Sequence, residues 1–216
     1  REMKNNIGHL RRSYDKHTLE ESQLEKTPIK LFEKWFQEAE QNDEIEEPNA
    51  MTVNTLGIDG FPRGRVVLLK AFSASGFVFY TNYTSEKGKA IAQHSKVGLS
   101  FFWPSQQRQI HVQGKASKLS EEESETYFQS RPRGSQLGAW VSPQSQVIED
   151  RAVLESSLHQ LQKKYKDKSI PKPKHWGGYL IAPQAFEFWQ GRPNRLHDRI
   201  RYFQVDSEWK YERLAP

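Results

Sequence analysis

The 216-residue chain contains no cysteine, which excludes a disulfide framework, a thiolate nucleophile and a thiolate metal site, and leaves packing as the source of stability. No metal is expected. No apolar run approaches the roughly 20 residues that span a bilayer, and Arg1-Glu2-Met3-Lys4-Asn5-Asn6 lacks the apolar core of a signal peptide. The expectation is a cytoplasmic chain without a membrane partner. Also missing are the glycine fingerprint of a dinucleotide-binding fold, zinc-finger spacing, an RNA-recognition aromatic motif and any internal repeat. Hydrophobic residues make up only 35% of the chain while aromatics reach 12%, so the core is expected to be aromatic rather than aliphatic.

What is present is a basic surplus, with a net charge of +5. Such a balance admits nucleic-acid binding as a function of a different class. The densest basic stretch, Lys163 to Lys168 with Lys172 and Lys174, closes a predicted helix, where lysines complement the helix dipole and keep the surface soluble. No nucleic-acid partner is therefore expected.

Residues 1–26 are polar with scattered apolar positions and read as a flexible arm, ahead of a single domain over 27–216. Thr27-Pro28 is an N-cap and first helical residue, followed by Leu31, Phe32, Trp35, Phe36 and Ala39 on one helical face. Strands are predicted at 51–56, 61–70, 76–81, 97–103, 109–117, 178–182, 185–190, 195–205 and 209–214, from aromatic and β-branched runs between turn residues. Helices are predicted at 85–94, from Ser120 with Glu123 at capping-box spacing, near Gly134, and over 146–165 with Val153, Leu154, Leu158 and Leu161 on one face. The fold class is mainly β with flanking helices, an antiparallel barrel or sandwich.

Four constellations carry chemistry. If residues 195–199 are extended, Arg195, His197 and Arg199 share one face, suited to an anion, with Gly191 and Pro193 as the turn before it. Arg63, Arg65 and Lys70 punctuate the apolar run Val66-Val67-Leu68-Leu69. Strict alternation places Arg65 and Lys70 on opposite faces, so they serve one site only if a bulge or the strand end intervenes, or serve different ligands. Tyr80 to Lys89 runs from a strand into a helix start, where free amides, hydroxyls and a lysine make a phosphate cradle. Tyr127, Arg131 and Ser135 recur every four residues, but Pro132 breaks the helix, so a second helix start aims Ser135 at an anion.

Trp189, Arg195-Leu196-His197-Asp198-Arg199, Trp209 and Glu212-Arg213-Leu214-Ala215-Pro216 together resemble the C-terminal signature of the pyridoxine/pyridoxamine 5'-phosphate oxidases. The resemblance implies an FMN-binding split β-barrel that pairs as a homodimer with shared FMN sites. It implies oxidation of pyridoxine or pyridoxamine 5'-phosphate to pyridoxal 5'-phosphate by O2, with hydrogen peroxide as product and flavin N5 taking hydride from substrate C4'. It assigns to FMN the run Arg65, Val66, Val67, Leu68, Leu69 and Lys70, then Tyr80, Thr81, Lys87, Gln109, Trp189 and Arg199, with Gln144 and Ser145 coming from the neighbouring subunit. It assigns Lys70, Tyr127, Arg131 and Ser135 to the substrate phosphate, Arg195 and His197 to the reacting ring as catalytic residues, and Arg11 and Tyr14 to a cover over the substrate. At 86 the family pattern usually has arginine, whereas this chain has Glu86: either its carboxylate points away and serves the helix dipole, or FMN affinity is reduced. The alternatives are a related flavin barrel with another substrate, and a non-catalytic vitamin-phosphate carrier or nucleic-acid-binding protein.

Overall fold

Along residues 50–56, and through most of 108–118, every second side chain is buried, the period of strands with one face on a core. The computed structural model describes residues 6–216; the first five residues of the expected arm lie outside the described residues. In chain order come α1 (Pro28–Glu40), β1 (Ala50–Leu56), β2 (Pro62–Leu68), β3 (Ala71–Ser73), β4 (Gly76–Asn82), α2 (Glu86–Gln93), β5 (Lys96–Trp103) and β6 (Arg108–Lys118). There follow α3 (Glu121–Ser130), α4 (Arg133–Val141), α5 (Arg151–Lys164), β7 (Trp176–Gln190), β8 (Asp198–Val205) and β9 (Glu208–Leu214). The pairs β1–β2, β3–β4, β4–β7, β7–β8 and β8–β9 are antiparallel, so the expected mainly β class with flanking helices is the one found. No helix among the described residues is long and apolar enough to cross a membrane.

The chain divides into two compact units, and β5, β6 and β7 contribute residues to both. The larger comprises Asn49–Leu99 and Gln113–Gln184. Its strands run in the order β2-β1-β5-β6-β7-β4-β3, which leaves β2 at an edge. Met51, Val53, Phe77, Phe79, Leu99 and Ile181 form its core. The turn into β4 needs Gly76, whose φ is 138° and whose missing Cβ would lie 2.1 Å from the Ile181 carbonyl oxygen.

Helix starts in this unit follow their caps. Ser85 accepts from the Gly88 N–H at 3.2 Å, and Ser120 and Glu123 form the expected capping box. Arg131-Pro132 separates α3 from α4 as the proline predicted. Helix α5 starts at Arg151, later than the apolar pattern suggested, because Asp150 accepts from the Val153 N–H and so supplies the N-cap. Leu158 and Leu161 pack on the Phe128, Leu137, Ile170 and Trp176 cluster, while Val153 is exposed.

The smaller unit comprises the described residues up to Pro48, with Ser100–Val112 and Ala185–Pro216. Its α1 buries Leu31, Phe32, Trp35, Phe36 and Ala39, the face read from the sequence, with Trp35 edge-on to Phe188 and Phe32 edge-on to Phe101. Thr27 is its N-cap residue, yet the Thr27 hydroxyl makes no cap hydrogen bond. The two strands expected at 178–182 and 185–190 are one, β7, despite Pro183. Pairing with β4 ends at Ile181 and pairing with β8 begins at Ala185, so on that edge the proline falls in the gap between the two ladders.

The largest departure lies after Gly191. The extended segment expected from Arg195 begins only at Asp198; Pro193–Arg195 is a 3-10 turn with Asn194 at φ 58° and Arg195 at φ 60°. Pro193 sets the turn and the Leu196 N–H closes it on the Pro193 carbonyl at 3.1 Å. Arg195, His197 and Arg199 therefore do not share one strand face.

Gly76→Ala is expected to destabilise the protein by about 2–4 kcal/mol, combining a strained φ with a backbone clash. Urea unfolding followed by circular dichroism measures it; a loss under about 0.5 kcal/mol would show that the turn yields freely.

Candidate functional site

Basic side chains at a strand end, a helix end and a helix start converge on two adjoining cavities in the larger unit. The first has a volume of about 730 Å3 and is bordered by Val66, Val67, Leu68 and Lys70 of the β2 run, with Tyr127, Arg131 and Ser135 opposite. The second, about 500 Å3, is bordered by Arg63, Arg65, Glu86, Lys87 and Ser145. Val66, Lys87 and Gln144 border both.

The strand end resolves the alternation problem raised by Arg65 and Lys70. Strand β2 stops at Leu68, and the Lys70 N–H bonds the Val78 carbonyl at 2.9 Å. Lys70 then borders the first cavity and Arg65 the second. Leu69, expected among the cofactor residues, is 4% exposed and belongs to the core; it borders neither cavity.

In the first cavity Arg131 caps the C-terminus of α3, with its guanidinium 4.6 Å from the centre of the Trp176 ring. Its Nη1 is buried and makes no hydrogen bond, and burial lowers its pKa. Tyr80 stacks on Tyr127 at 3.8 Å and on Trp176 at 5.5 Å, so three rings hold the wall behind Arg131. Trp176 was not singled out from the sequence: its partners are distant in the chain and no local spacing marks it.

In the second cavity Lys87 is 6% exposed. Its ammonium donates to the Thr81 hydroxyl at 3.3 Å, which donates to Gln144 Oε1 at 3.3 Å. Burial, then the charge of Arg65, lowers the Lys87 pKa below 10.5. Arg65 Nη1 donates to the Thr55 hydroxyl at 2.7 Å and to the Val53 and Arg63 carbonyls at 3.1 Å. The first N–H of α2, on Glu86, donates to the Ser145 hydroxyl at 3.0 Å. Gln144 and Ser145 border this cavity. The Glu86 carboxylate pairs with Arg63 Nε at 2.7 Å. Among the described residues no carboxylate lies within ion-pair distance of Arg65, Lys87 or Arg131. Desolvated cations facing only neutral acceptors are built for an anion.

The smaller unit gathers a different group. His197 lies 4.5 Å from the Trp189 ring and 5.9 Å from the Tyr14 ring. A Cβ on Gly191 would come 2.7 Å from the Tyr14 ring, so glycine is what lets Tyr14 approach. His197 Nδ1 accepts from the Arg192 N–H at 2.9 Å, which places the ring proton on Nε2. Arg199 is held by Glu187 at 2.8 and 3.2 Å and by the Ala215 carbonyl at 2.8 Å. Arg11 and Arg195 are exposed, and Gln109 is half-buried on β6.

Comparison with known proteins bears on these arrangements. The family model described as pyridoxamine 5'-phosphate oxidase matches residues 37–165, and that described as the pyridoxine 5'-phosphate oxidase C-terminal dimerisation region matches residues 176–216. Pyridoxine/pyridoxamine 5'-phosphate oxidase of Flavobacterium psychrophilum is 56% identical over 97% of this chain and 99% of its own length. Its namesake from Synechocystis is 49% identical over 97% and 98%. Among solved structures, PhzG from Burkholderia lata, in complex with tetrahydrophenazine-1-carboxylic acid, superposes with a TM-score of 0.86 at 28% identity, over 94% of this chain and 100% of that one. A pyridoxamine 5'-phosphate oxidase-related, FMN binding protein from Nostoc punctiforme shares the fold, with a TM-score of 0.69 at 17% identity over 89% and 100%.

The hydrogen bond to Nδ1 predicts a neutral His197 at pH 7. Burial first, then Arg195, lowers its pKa from 6.5, with Asp198 opposing. The unfolded chain takes up this proton first as pH falls, so the stability contributed by neutral His197 is present above pH 6.5 and is lost between 6.5 and the lowered folded value. Nitrogen-15 NMR should show the Nε2–H tautomer and a midpoint below 6.5; a midpoint at or above that value contradicts the assignment.

Proposed function

Since the chain belongs to the pyridoxine/pyridoxamine 5'-phosphate oxidase family, we propose that it oxidises pyridoxamine 5'-phosphate and pyridoxine 5'-phosphate to pyridoxal 5'-phosphate. It does so as an FMN-dependent homodimer in the cytoplasm. The observation that carries the reading is the pair of cation-lined cavities that share Val66, Lys87 and Gln144, in a family whose cofactor and substrate each bear a phosphate. The residues present fit FMN: Lys87 and Arg65 are desolvated cations with no carboxylate in ion-pair distance among the described residues, beside the N-terminal end of α2. FMN, held there, would supply two-electron redox chemistry at the substrate's C4' with O2 as the acceptor, giving hydrogen peroxide, while water releases ammonia from the amine substrate.

The chain's own residues bind and orient. Arg65, Lys87, Thr81 and Ser145 hold the cofactor phosphate. Lys70, Tyr127, Arg131 and Ser135 hold the substrate phosphate, with the orphaned Arg131 Nη1 as the donor that the ligand completes. Arg195 and His197 hold the pyridine ring, and neutral His197 presents Nε2–H as a donor to its substituents. Trp189, Gln109 and Arg199 contact the flavin, and Arg11 and Tyr14 of the arm cover the substrate. The dimer rests on the C-terminal region, which matches a dimerisation family. PhzG shares the fold with a ligand of another ring class; the Lys70, Arg131 and Ser135 cluster favours a phosphorylated substrate here.

Purified protein should bind FMN, bleach anaerobically with pyridoxamine 5'-phosphate and regain its colour in air with release of peroxide. A colourless protein that ignores FMN sinks the proposal. Arg131→Ala should raise KM for pyridoxamine 5'-phosphate roughly ten- to hundred-fold, the scale of a charged hydrogen bond, while changing FMN affinity less than about three-fold. FMN affinity should also fall as pH rises into the alkaline range. Burial lowers the free-state pKa of Lys87 below 10.5, so the cation that binding requires is lost at a lower pH than for an exposed lysine. Titrations of FMN fluorescence across pH 7 to 10.5 would check this; a flat profile contradicts it.

A further inference from the structure

Arg63 is absent from every role assigned so far, yet it borders the second cavity with Arg65 and Lys87. Its guanidinium is divided between two carboxylates. Nη1 and Nη2 donate to Asp59 Oδ1 and Oδ2 at 2.7 and 2.6 Å, and Nε meets Glu86 Oε1 at 2.7 Å. Asp59 is itself fixed in the turn between β1 and β2, accepting from the Phe61 N–H at 3.1 Å. These bonds, that from Arg63 first, lower the Asp59 pKa to about 2, so the anchor is ionised throughout the neutral range.

Glu86 stands in an awkward place for an anion site. It is the first residue of α2, it borders the cavity, and its charge is felt by both Arg65 and Lys87. A free carboxylate there repels an incoming phosphate and competes for the same cations. The bidentate grip of Asp59 fixes the plane of the guanidinium, with Nη1 also directed at the Phe61 carbonyl at 3.5 Å, and in that orientation the Nε edge faces Glu86. Asp59 also offsets most of the charge that Arg63 itself would lend the cavity.

We propose that Arg63 is a positioning residue for the cofactor phosphate: anchored by Asp59, it holds Glu86 in an ion pair and so masks that carboxylate from the anion bound by Arg65 and Lys87. The inference rests on the FMN reading above. It explains how a chain with glutamate at this helix start keeps a phosphate site there.

The test is the binding of FMN and of riboflavin, which lacks the phosphate, to the full chain stripped of cofactor, read by flavin fluorescence. Wild type is compared with Arg63→Gln, Glu86→Gln, the double variant and Lys87→Ala. Arg63→Gln should weaken FMN roughly ten-fold, and Glu86→Gln should tighten it a few-fold. In the Glu86→Gln background the effect of Arg63→Gln should shrink below about three-fold. Riboflavin affinity should be unchanged in all of these. An equal loss from Arg63→Gln in both backgrounds, or an equal loss with riboflavin, overturns the masking role, because a direct phosphate contact or a strand defect gives those results. If Lys87→Ala weakens FMN while Arg63→Gln does not, the inference fails and the cofactor reading stands. If wild type shows no preference for FMN over riboflavin, the reading fails and takes the inference with it.

Discussion

Lys87 and Arg131 hold positive charge inside the larger unit against hydroxyl and ring acceptors, with no carboxylate in ion-pair distance among the described residues. Burial lowers the pKa of both. A fold retains such groups at a cost in solvation, and the cost is recovered when an anion arrives. In the proposed function, the phosphorylated cofactor and substrate give that cost a purpose. The neighbouring elements are arranged to keep these cations in place and to keep other carboxylates occupied elsewhere.

Ordinary local devices do this work. Strand β2 lies at an edge and ends at Leu68, so the chain places Arg65 within the strand and Lys70 just beyond it, on two different cavities. Ser85 caps α2 and leaves Lys87 in its first turn, turned inward beside Thr81. Pro132 stops one helix and precedes the next, which leaves Arg131 at the break with Trp176 behind it. The cavity is therefore set by where elements end, and the apolar core fixes where those ends lie.

The smaller unit shows the same economy. Asp198 starts β8, accepts from the Leu19 N–H at 2.9 Å and pairs with Arg192 and Arg213 at 2.7 and 2.9 Å. The arm is further held where the Asp15 and Lys16 N–H groups donate to Gln107 Oε1 at 3.1 and 3.2 Å. These contacts carry Tyr14 to Trp189 and His197. The tautomer of His197 follows from one backbone N–H in the preceding turn, so its chemistry depends on the turn and not on the strand that follows.

Periodicity and capping signals, which act over a few residues, were enough to read the face of α1, the starts of α2 and α3, the break at Pro132 and most of the strands, though not the three-residue β3. The terminal motif was enough to suggest the family. They were not enough for the turn at Pro193, where left-handed Asn194 and Arg195 dissolve the expected strand face, or for α5, whose start was set by a cap and not by its apolar stripe. Leu69 was assigned to the cofactor as part of a contiguous run, and the core claimed it. The sequence by itself determined most of the segments that become strands and helices and which side chains bear charge. Only the tertiary structure decided that Glu86 faces Arg63, that Trp176 lies under Arg131 and that Lys87 has no carboxylate in ion-pair distance among the described residues. Such partners lie many residues apart, and which of them meet is settled by burial of the shared core, a property of the whole packed chain that no short window contains.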